Sequence, residues 1–529
     1  MEPPDPAGYE ILGEIGRGGM GVVYKARDRQ HGEVVALKCV LSATPSSLYR
    51  FKQEFRALAD VVHPNLVALH ELRADGPALY FTMEHIDGTD LLSSVRQTGS
   101  GPAGQTTGAC VPTPPRQTVE VNPGPDAVRA SGLSRVQLDR LRDVLRQLAS
   151  GLMALHAAGR LHRDLKPSNV MVTPQGRVVI LDFGLAAELD HQGRHRDASG
   201  GFLGTPAYAA PEQAAASSLS PASDWYGVGA ILYQLLTGRT PFPGSLLQVL
   251  RDKQRRDPPA PSSLAEGVPE DLDRLCRDLL HRDPSARPDG REVLRRLQGT
   301  APEAAGGGAG AHAEWPAGSP AASWPRSRLI GRASHLETLT DAYRALCGGQ
   351  TLIAMVHGPS GMGKTSLIEG FLEGLRVREP TVILTGRCYE SESVPFKALD
   401  SLMDRLSEYL TQLPEDLVET VLPHETAALA RVFPVFQRVE AVARMPLRTD
   451  ASDERELRRR AVGGLRELLT RLGRQPLVLF IDDLQWGDVD SATVFAEVLQ
   501  PPDPPALLLL GAYRSDLAES SPFLQTFRR

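Results

Sequence analysis

The sequence predicts a multidomain chain. An α+β domain, with a small β-rich first lobe and a helical second lobe, is followed by an α/β domain with a mostly parallel sheet. Three observations predict this. At 529 residues the chain exceeds what one hydrophobic core usually organises. The first 80 or so residues alternate in strand fashion ("VVYKA", "VVALKCV", "LYFTME") around one helical stretch near 47–60, and helical periodicity dominates from 135 to 298. From 350 onward apolar strands alternate with helical segments, the pattern of a parallel sheet.

Composition breaks set the expected boundaries. Residues 1–8 are acidic and proline-rich and are expected to be disordered; the first domain is expected over 9–298. Within it, 97–133 includes "TGSGPAGQTTGACVPTPPRQTVEVNPGPDA" and is expected to be a disordered insertion. The Gly/Ala/Pro-rich run "GTAPEAAGGGAGAHAEWPAGSPAASWP" lacks periodicity, so a flexible linker is expected over 299–326 and the second domain over 327–529. In the helical lobe, Leu141, Val144, Leu145, Leu148, Leu152 and Leu155 fall on one stripe and predict a buried helix face.

Charge and cysteine usage narrow the function classes. A net charge of −6 gives no reason to expect a nucleic-acid partner. The five cysteines contain no CxxC pair, which argues against a zinc site and a disulfide framework. No apolar run approaches the roughly 18 residues needed to span a bilayer. With an N-terminus unlike a secretory leader, the expected location is cytoplasmic.

Two glycine-rich loops carry the chemistry. The first is "EIGRGGMGVVYKA", 14–26. A dinucleotide fingerprint needs its G-x-G-x-x-G to run into a helix. Here Gly16, Gly18 and Gly21 are followed by Val22, Val23 and Tyr24, which favour a strand. The loop is therefore expected at a hairpin tip, either lying over phosphates or serving as a tight turn. In "VVALK", Lys38 sits in an apolar strand and needs a partner, because an unpaired buried charge is costly. Glu54, on an amphipathic segment, is the candidate.

Next come "LHRDLKPSNVMV" (161–172), "VVILDFGLA" (178–186) and "GTPAYAAPEQ" (204–213). With these in order, Tyr9 to Leu297 resembles the eukaryotic-like serine/threonine protein kinases of bacteria. The resemblance implies a bilobal protein-kinase fold and ATP with Mg2+ as cofactors. Ile15, Gly16, Arg17, Gly18, Gly19, Met20 and Gly21 would cover the phosphates. Lys38, fixed by Glu54, would hold the α/β-phosphates, and Asn169 and Asp182 would hold magnesium. Asp164 would accept or orient the acceptor's proton, and Lys166 would reach the γ-phosphate. Val23, Ala36 and Met171 would sandwich adenine, with backbone groups of Glu84 and Ile86 on its edge behind Met83. Glu212 with Arg287, Asp224, His162 and Phe183 are expected to be architectural. In that family the arginine before the catalytic aspartate, here Arg163, often meets a phosphorylated activation segment. Ser199 is the sole hydroxyl between Gly184 and Gly204, so either it is the switch or activation comes from elsewhere; Thr205, just beyond, is expected at the substrate site and is the second regulatory candidate.

The second loop, "GPSGMGKTS", follows a strand at 351–357 and opens a helix lined by Leu367, Ile368, Phe371, Leu372 and Leu375. It matches G-x-x-x-x-G-K-[ST], so Gly358, Ser360, Gly361, Gly363, Lys364, Thr365 and Ser366 are expected around nucleotide phosphates, with Thr365 on magnesium. "PLVLFIDDLQWGDVDS" ends a strand in Asp482, for the same magnesium, and Asp483, for a water, beside the phosphate loop. "ALLLLGAYR" delivers Arg514 to the same sheet edge, to sense a γ-phosphate or to form a surface salt bridge. With "LIGRASHLETL" and "GRCYESESVPFKALD", the stretch 328–520 resembles the signal-transduction ATPases with numerous domains, relatives of AAA-type ATPases. That family continues into a helical lid and a winged helix, so the second domain is expected to be incomplete at its C-terminus.

The resemblances together imply an ATP-dependent protein serine/threonine kinase with a P-loop regulatory module in signal transduction. Its partners would be proteins bearing Ser/Thr acceptors, itself included through autophosphorylation, and a regulatory protein or ligand acting on the module. A nucleotide-controlled scaffold with little kinase turnover is the alternative.

Overall fold

A computed structural model describes residues 6, 8–18, 21–40, 44–75, 78–96, 133–183, 187–188, 204–215, 217–298, 331–378, 380–446 and 453–528. The expected N-terminal tail, the 97–133 insertion, the linker, Gly19, Met20 and Ser199 therefore fall wholly or almost wholly outside the described residues. The chain divides into two compact units whose bulk lies on either side of residue 320.

The N-terminal lobe holds strands β1 (Tyr9–Arg17), β2 (Gly21–Asp28) and β3 (Val34–Val40), helix α1 (Pro45–Leu58), and strands β4 (Leu69–Asp75) and β5 (Ala78–Glu84). The sheet order is β1-β2-β3-β5-β4. β1 and β2 form an antiparallel hairpin that places Gly16 opposite Val23; β2 pairs with β3, placing Val23 opposite Lys38. The β-branched run after Gly21 thus continues as a strand, as its side chains favour.

The helical lobe holds α2 (Leu91–Arg96), α3 (Arg135–Ala157), the short strands β6 (Val170–Val172) and β7 (Val178–Ile180), then α4 (Pro221–Thr237), α5 (Leu246–Arg255), α6 (Glu270–Leu279) and α7 (Gly290–Gln298). A capping box starts α3: the Gln137 N–H donates to Ser134 Oγ, and Gln137 Oε1 accepts from the Ser134 N–H at 2.9 Å. The predicted stripe from Leu141 to Leu155 is buried throughout. α4 is apolar on nearly every side, from Trp225 to Leu236, and is accordingly the buried axis of the lobe. Gly229 lets α4 approach α6, because a Cβ there would lie 2.8 Å from that of Leu279.

The second unit contains α8 (Ala333–Cys347), β8 (Leu352–Gly358), α9 (Lys364–Arg378), β9 (Val382–Arg387), α10 (Lys397–Gln412), α11 (Glu454–Leu472), β10 (Leu477–Asp482), α12 (Val489–Leu499) and β11 (Leu508–Arg514). These four strands form a wholly parallel sheet in the order β8-β11-β10-β9. Alternate residues face opposite layers. Val478, Phe480, Leu508 and Leu510 pack with α8 and α9, whereas Leu477, Leu479, Ile481 and Leu509 pack with α10, α11 and α12. Both faces are covered, which is why these strands read as unbroken apolar runs.

The aspartate-bearing strand β10 is not hydrogen-bonded to the phosphate-loop strand β8, because β11 lies between them; Asp482 nevertheless reaches Thr365 of the loop, as expected. Gly511 leaves room there for two side-chain ends, since a Cβ would press on Met355 of β8 and Leu484 beyond β10.

Candidate functional site

In the first unit the glycine hairpin closes on itself, the Gly18 N–H donating to Gly21 O at 2.9 Å. A Cβ on Gly21 would come within 2.5 Å of the Cys39 carbonyl oxygen, so glycine lets the loop lie against β3. Ile15 is half-buried at its base. Arg17 projects at the exposed rim, 2.6 Å from Glu14.

Below the loop three charges meet. Lys38 Nζ donates to Glu54 Oε1 and, at 3.0 Å, to Asp182 Oδ1. Lys38 and Glu54 are buried. Burial opposes the ammonium charge, but attraction from Glu54 and then Asp182 outweighs it and holds Lys38 above the usual lysine range. For Asp182 burial is likewise opposed and overcome, chiefly by Lys38, which holds the carboxyl down at about 2. Burial pushes Glu54 upward against the pull of Lys38. The Asp182 backbone is left-handed at φ 59°, which turns the chain out of β7 toward the lysine.

A second frame holds residues 162–169. The buried Asp224 carboxylate accepts from the main-chain N–H groups of His162 (2.9 Å) and Arg163 (2.8 Å) and pairs with His156 Nε2 at 2.8 Å. Burial opposes its ionisation; His156 and the other donors nevertheless hold its pKa low. Arg163 takes φ 69°, a strained turn that these bonds hold in place. Asp164 Oδ2 then accepts from Lys166 Nζ at 2.6 Å, and Oδ1 accepts from both the N–H and the Oγ1 of Thr205 at 2.8 Å. Asn169 Nδ2 donates to Asp164 O at 3.0 Å, and the Leu181 N–H donates to Asn169 O at 2.8 Å. His162 packs against Phe183, with ring centroids 4.8 Å apart. Asp164, Asn169 and Asp182 therefore share one hydrogen-bonded frame. Glu212 and Arg287 form a buried bidentate pair at 2.7 and 2.8 Å.

Val23, Ala36 and Met171 lie on β2, β3 and β6. Met83 and Ile86 are half-buried against the core of the helical lobe. The Glu84 N–H is spent on Ala68 O at 2.8 Å. The Glu84 side chain pairs with Arg177, a residue the motifs did not single out.

In the second unit, Gly361 and Gly363 adopt φ 76° and 74°, and a Cβ on Gly358, Gly361 or Gly363 would meet open space. Lys364 Nζ curls back on the carbonyls of Gly358 (3.1 Å) and Pro359 (3.0 Å). Ser360 and Ser366 are exposed. Thr365 Oγ1 donates to Asp482 Oδ2 at 2.8 Å, joining α9 to β10 across the intervening strand. Burial, then the neighbouring Asp483, pushes the Asp482 carboxyl up.

Asp483 is more committed than its expected water-activating role suggests. Its Oδ2 accepts from Arg387 at 2.8–2.9 Å, and its Oδ1 accepts from Gln485 Nε2 at 2.9 Å. Gln485 also accepts from the Arg514 N–H at 3.0 Å. The Arg514 guanidinium pairs with Asp516 at 2.7 Å, the surface salt bridge of the two readings. Arg387 and Gln485 stand in segments whose motifs were read, but a lone Arg or Gln carries no spacing signal.

Both sites suit the groups their motifs imply. Asp182, ionised and half-exposed, with the Asn169 amide oxygen left over from its bond to Asp164, offers hard oxygen donors. The open glycine arc around Lys364, with Thr365 and Asp482 in contact, offers the same in the second unit.

The comparisons agree with this geometry. The protein kinase domain family matches residues 9–114 and 117–297, and the AAA ATPase domain family matches 328–510. The chain belongs to the protein kinase family and carries an AAA-type ATPase module after the kinase domain. It is 31% identical over 287 residues to the serine/threonine-protein kinase PknA of Mycobacterium tuberculosis, covering 53% of this chain and 58% of that one. It is 34% identical over 313 residues to the serine/threonine-protein kinase PkaA of Streptomyces coelicolor, covering 55% and 50%. With PknB of Mycobacterium tuberculosis it shares 33% identity over 287 residues, 53% of this chain and 40% of that one. The chain thus spans about half the length of the curated relatives it matches. Among the described residues no helix is long and apolar enough to cross a membrane.

Proposed function

We propose that the chain is an ATP-dependent protein serine/threonine kinase, with its kinase domain over 9–298 and its P-loop module over 327–529. One observation carries the reading: Asp164, with Lys166 and Thr205 on its carboxylate, shares a hydrogen-bonded frame with Asp182, which is paired to Lys38. ATP would lie under the β1–β2 hairpin with Lys38 on its phosphate oxygens. Asp182 and Asn169 would hold Mg2+, which when bound neutralises phosphate charge. Asp164 orients the acceptor hydroxyl and takes its proton as the new oxygen–phosphorus bond forms and the bond to ADP breaks. Lys166, already on Asp164, is placed to follow the charge of the transferred group.

Transfer of labelled phosphate from ATP to Ser or Thr, abolished by Lys38→Met, tests this. A chain that binds ATP and transfers nothing would be the scaffold instead.

The second domain, in this reading, binds ATP and Mg2+ through Lys364, Thr365 and Asp482, and regulates the kinase or recruits a regulatory protein or ligand, in the cytoplasm. The support is two phosphate sites in one chain. Autophosphorylation and partner capture should both change in Lys364→Ala; if neither does, the regulatory link is lost. Ser199 and Thr205 are the acceptors to look for by mass spectrometry.

A further inference from the structure

Lys253 is the most deeply buried cation among the described residues, with 0% exposure. Its Nζ donates to three main-chain carbonyls, Pro206 at 2.5 Å, Ala207 at 3.1 Å and Ala209 at 2.6 Å, and lies 5.3 Å from the centre of the Tyr226 ring. Burial drives its pKa down to about 7, opposed by Glu212, whose carboxylate is itself committed to Arg287. A buried ammonium without a carboxylate of its own is an expensive way to fill a core position. An apolar side chain would pack there at lower cost but would leave the carbonyls without donors.

Those carbonyls belong to a particular stretch. Residue 205 holds Asp164 through both its N–H and its hydroxyl, and the Tyr208 and Ala209 N–H groups return to Thr205 O at 3.0 and 3.1 Å. Four residues past Ala209, Gln213 Nε2 donates to Arg163 O at 2.8 Å, next to Asp164. The stretch 205–213 is thus tied at both ends to the segment bearing Asp164, and Lys253 supports its middle from beneath. With Thr205 on the Asp164 carboxylate, this stretch borders the place where an acceptor hydroxyl would meet Asp164.

We propose that Lys253 is a positioning residue for the polypeptide acceptor: it fixes the main chain of residues 206–209 at the height where an acceptor hydroxyl meets Asp164. The inference rests on the kinase reading and adds a determinant of the acceptor side alone.

The test compares full-length wild type, Lys253→Met and Lys253→Gln. Steady-state transfer to a pool of random peptides, each bearing one Ser or Thr, gives kcat/KM for peptide and, separately, the KM for ATP. Lys253→Met should lower kcat/KM for peptide by up to about a hundredfold, the order expected when an acceptor is misaligned, and leave the KM for ATP within about twofold. Lys253→Gln, which keeps a shorter donor, should fall between. An unchanged kcat/KM for peptide, or an equal shift in the KM for ATP, overturns the proposal. Should the Met variant lose its thermal unfolding transition, the Gln variant decides by the same criterion. Wild-type protein that phosphorylates neither peptide nor itself overturns the kinase reading, and this proposal with it.

Discussion

The Lys38 ammonium and the Asp182 carboxylate stand 3.0 Å apart, although 144 positions separate them in sequence. The contact closes the β-rich lobe onto the segment that follows β7. It also holds in place a carboxylate suited to a hard cation.

Loss of Asp182 should therefore hurt more than loss of Asp164. Proton acceptance is worth about 10²–10⁴-fold, whereas alignment supplies up to about 7–11 kcal/mol. Single-turnover transfer should be slower in Asp182→Ala than in Asp164→Ala; the reverse order would reassign the two roles.

Glu212→Gln should destabilise without touching the chemistry. Breaking a buried ion pair costs about 3–5 kcal/mol, because the partner charge stays behind. Here that partner is Arg287, fully buried at its side chain. A fall in the unfolding midpoint of the full chain, with KM for ATP unchanged in the remaining folded protein, is the expected outcome.

Asp224 supplies a pH dependence whose sign is fixed. Its pKa is held below the ordinary 3.8 by His156 and two N–H groups, against the cost of burial. The unfolded chain therefore binds the proton more readily, and the stabilisation is present above pH 3.8 and fades as pH falls through the native value. The urea midpoints of wild type and Asp224→Asn should differ at pH 7 and converge on acidification below pH 4. A constant gap would mean that the carboxylate charge contributes nothing.

In the second domain, Thr365→Val leaves the Asp482 carboxyl without its 2.8 Å donor. Hydrogen bonds to charged groups are worth about 1.5–3 kcal/mol. Magnesium-dependent binding of a fluorescent ATP analogue should weaken by about tenfold or more, measured in a Lys38→Met background. Equal affinity would remove Thr365 from the site.

Much of this was legible in the sequence. The period-two runs gave the strands, the Leu141–Leu155 stripe gave a buried helix face, and the motifs named Lys38, Glu54, Asp164 and Asp182 before any contact was known. Three things were not legible. Lys253 lies in "LLQVLRDKQRRDP", where its charged neighbours suggest a solvated face, and only the tertiary fold brings carbonyls to it. Arg387 reaches Asp483 from the neighbouring strand, and Gln485 turns back on it from two residues further on, contacts that no motif spacing signals. The order of the parallel strands depends on crossovers, which apolar runs do not encode.

That order exposes a weak point on the blind side of the ATPase module. Gly511 sits mid-sheet, wedged between Met355 and Leu484, well removed in sequence from the phosphate-binding lysine. An alanine there would push aside the ends of the Met355 and Leu484 side chains. A bystander to the chemistry could thus loosen the packing beneath the nucleotide loop, and a genetic screen for weakened modules should recover lesions here as well as at the lysine.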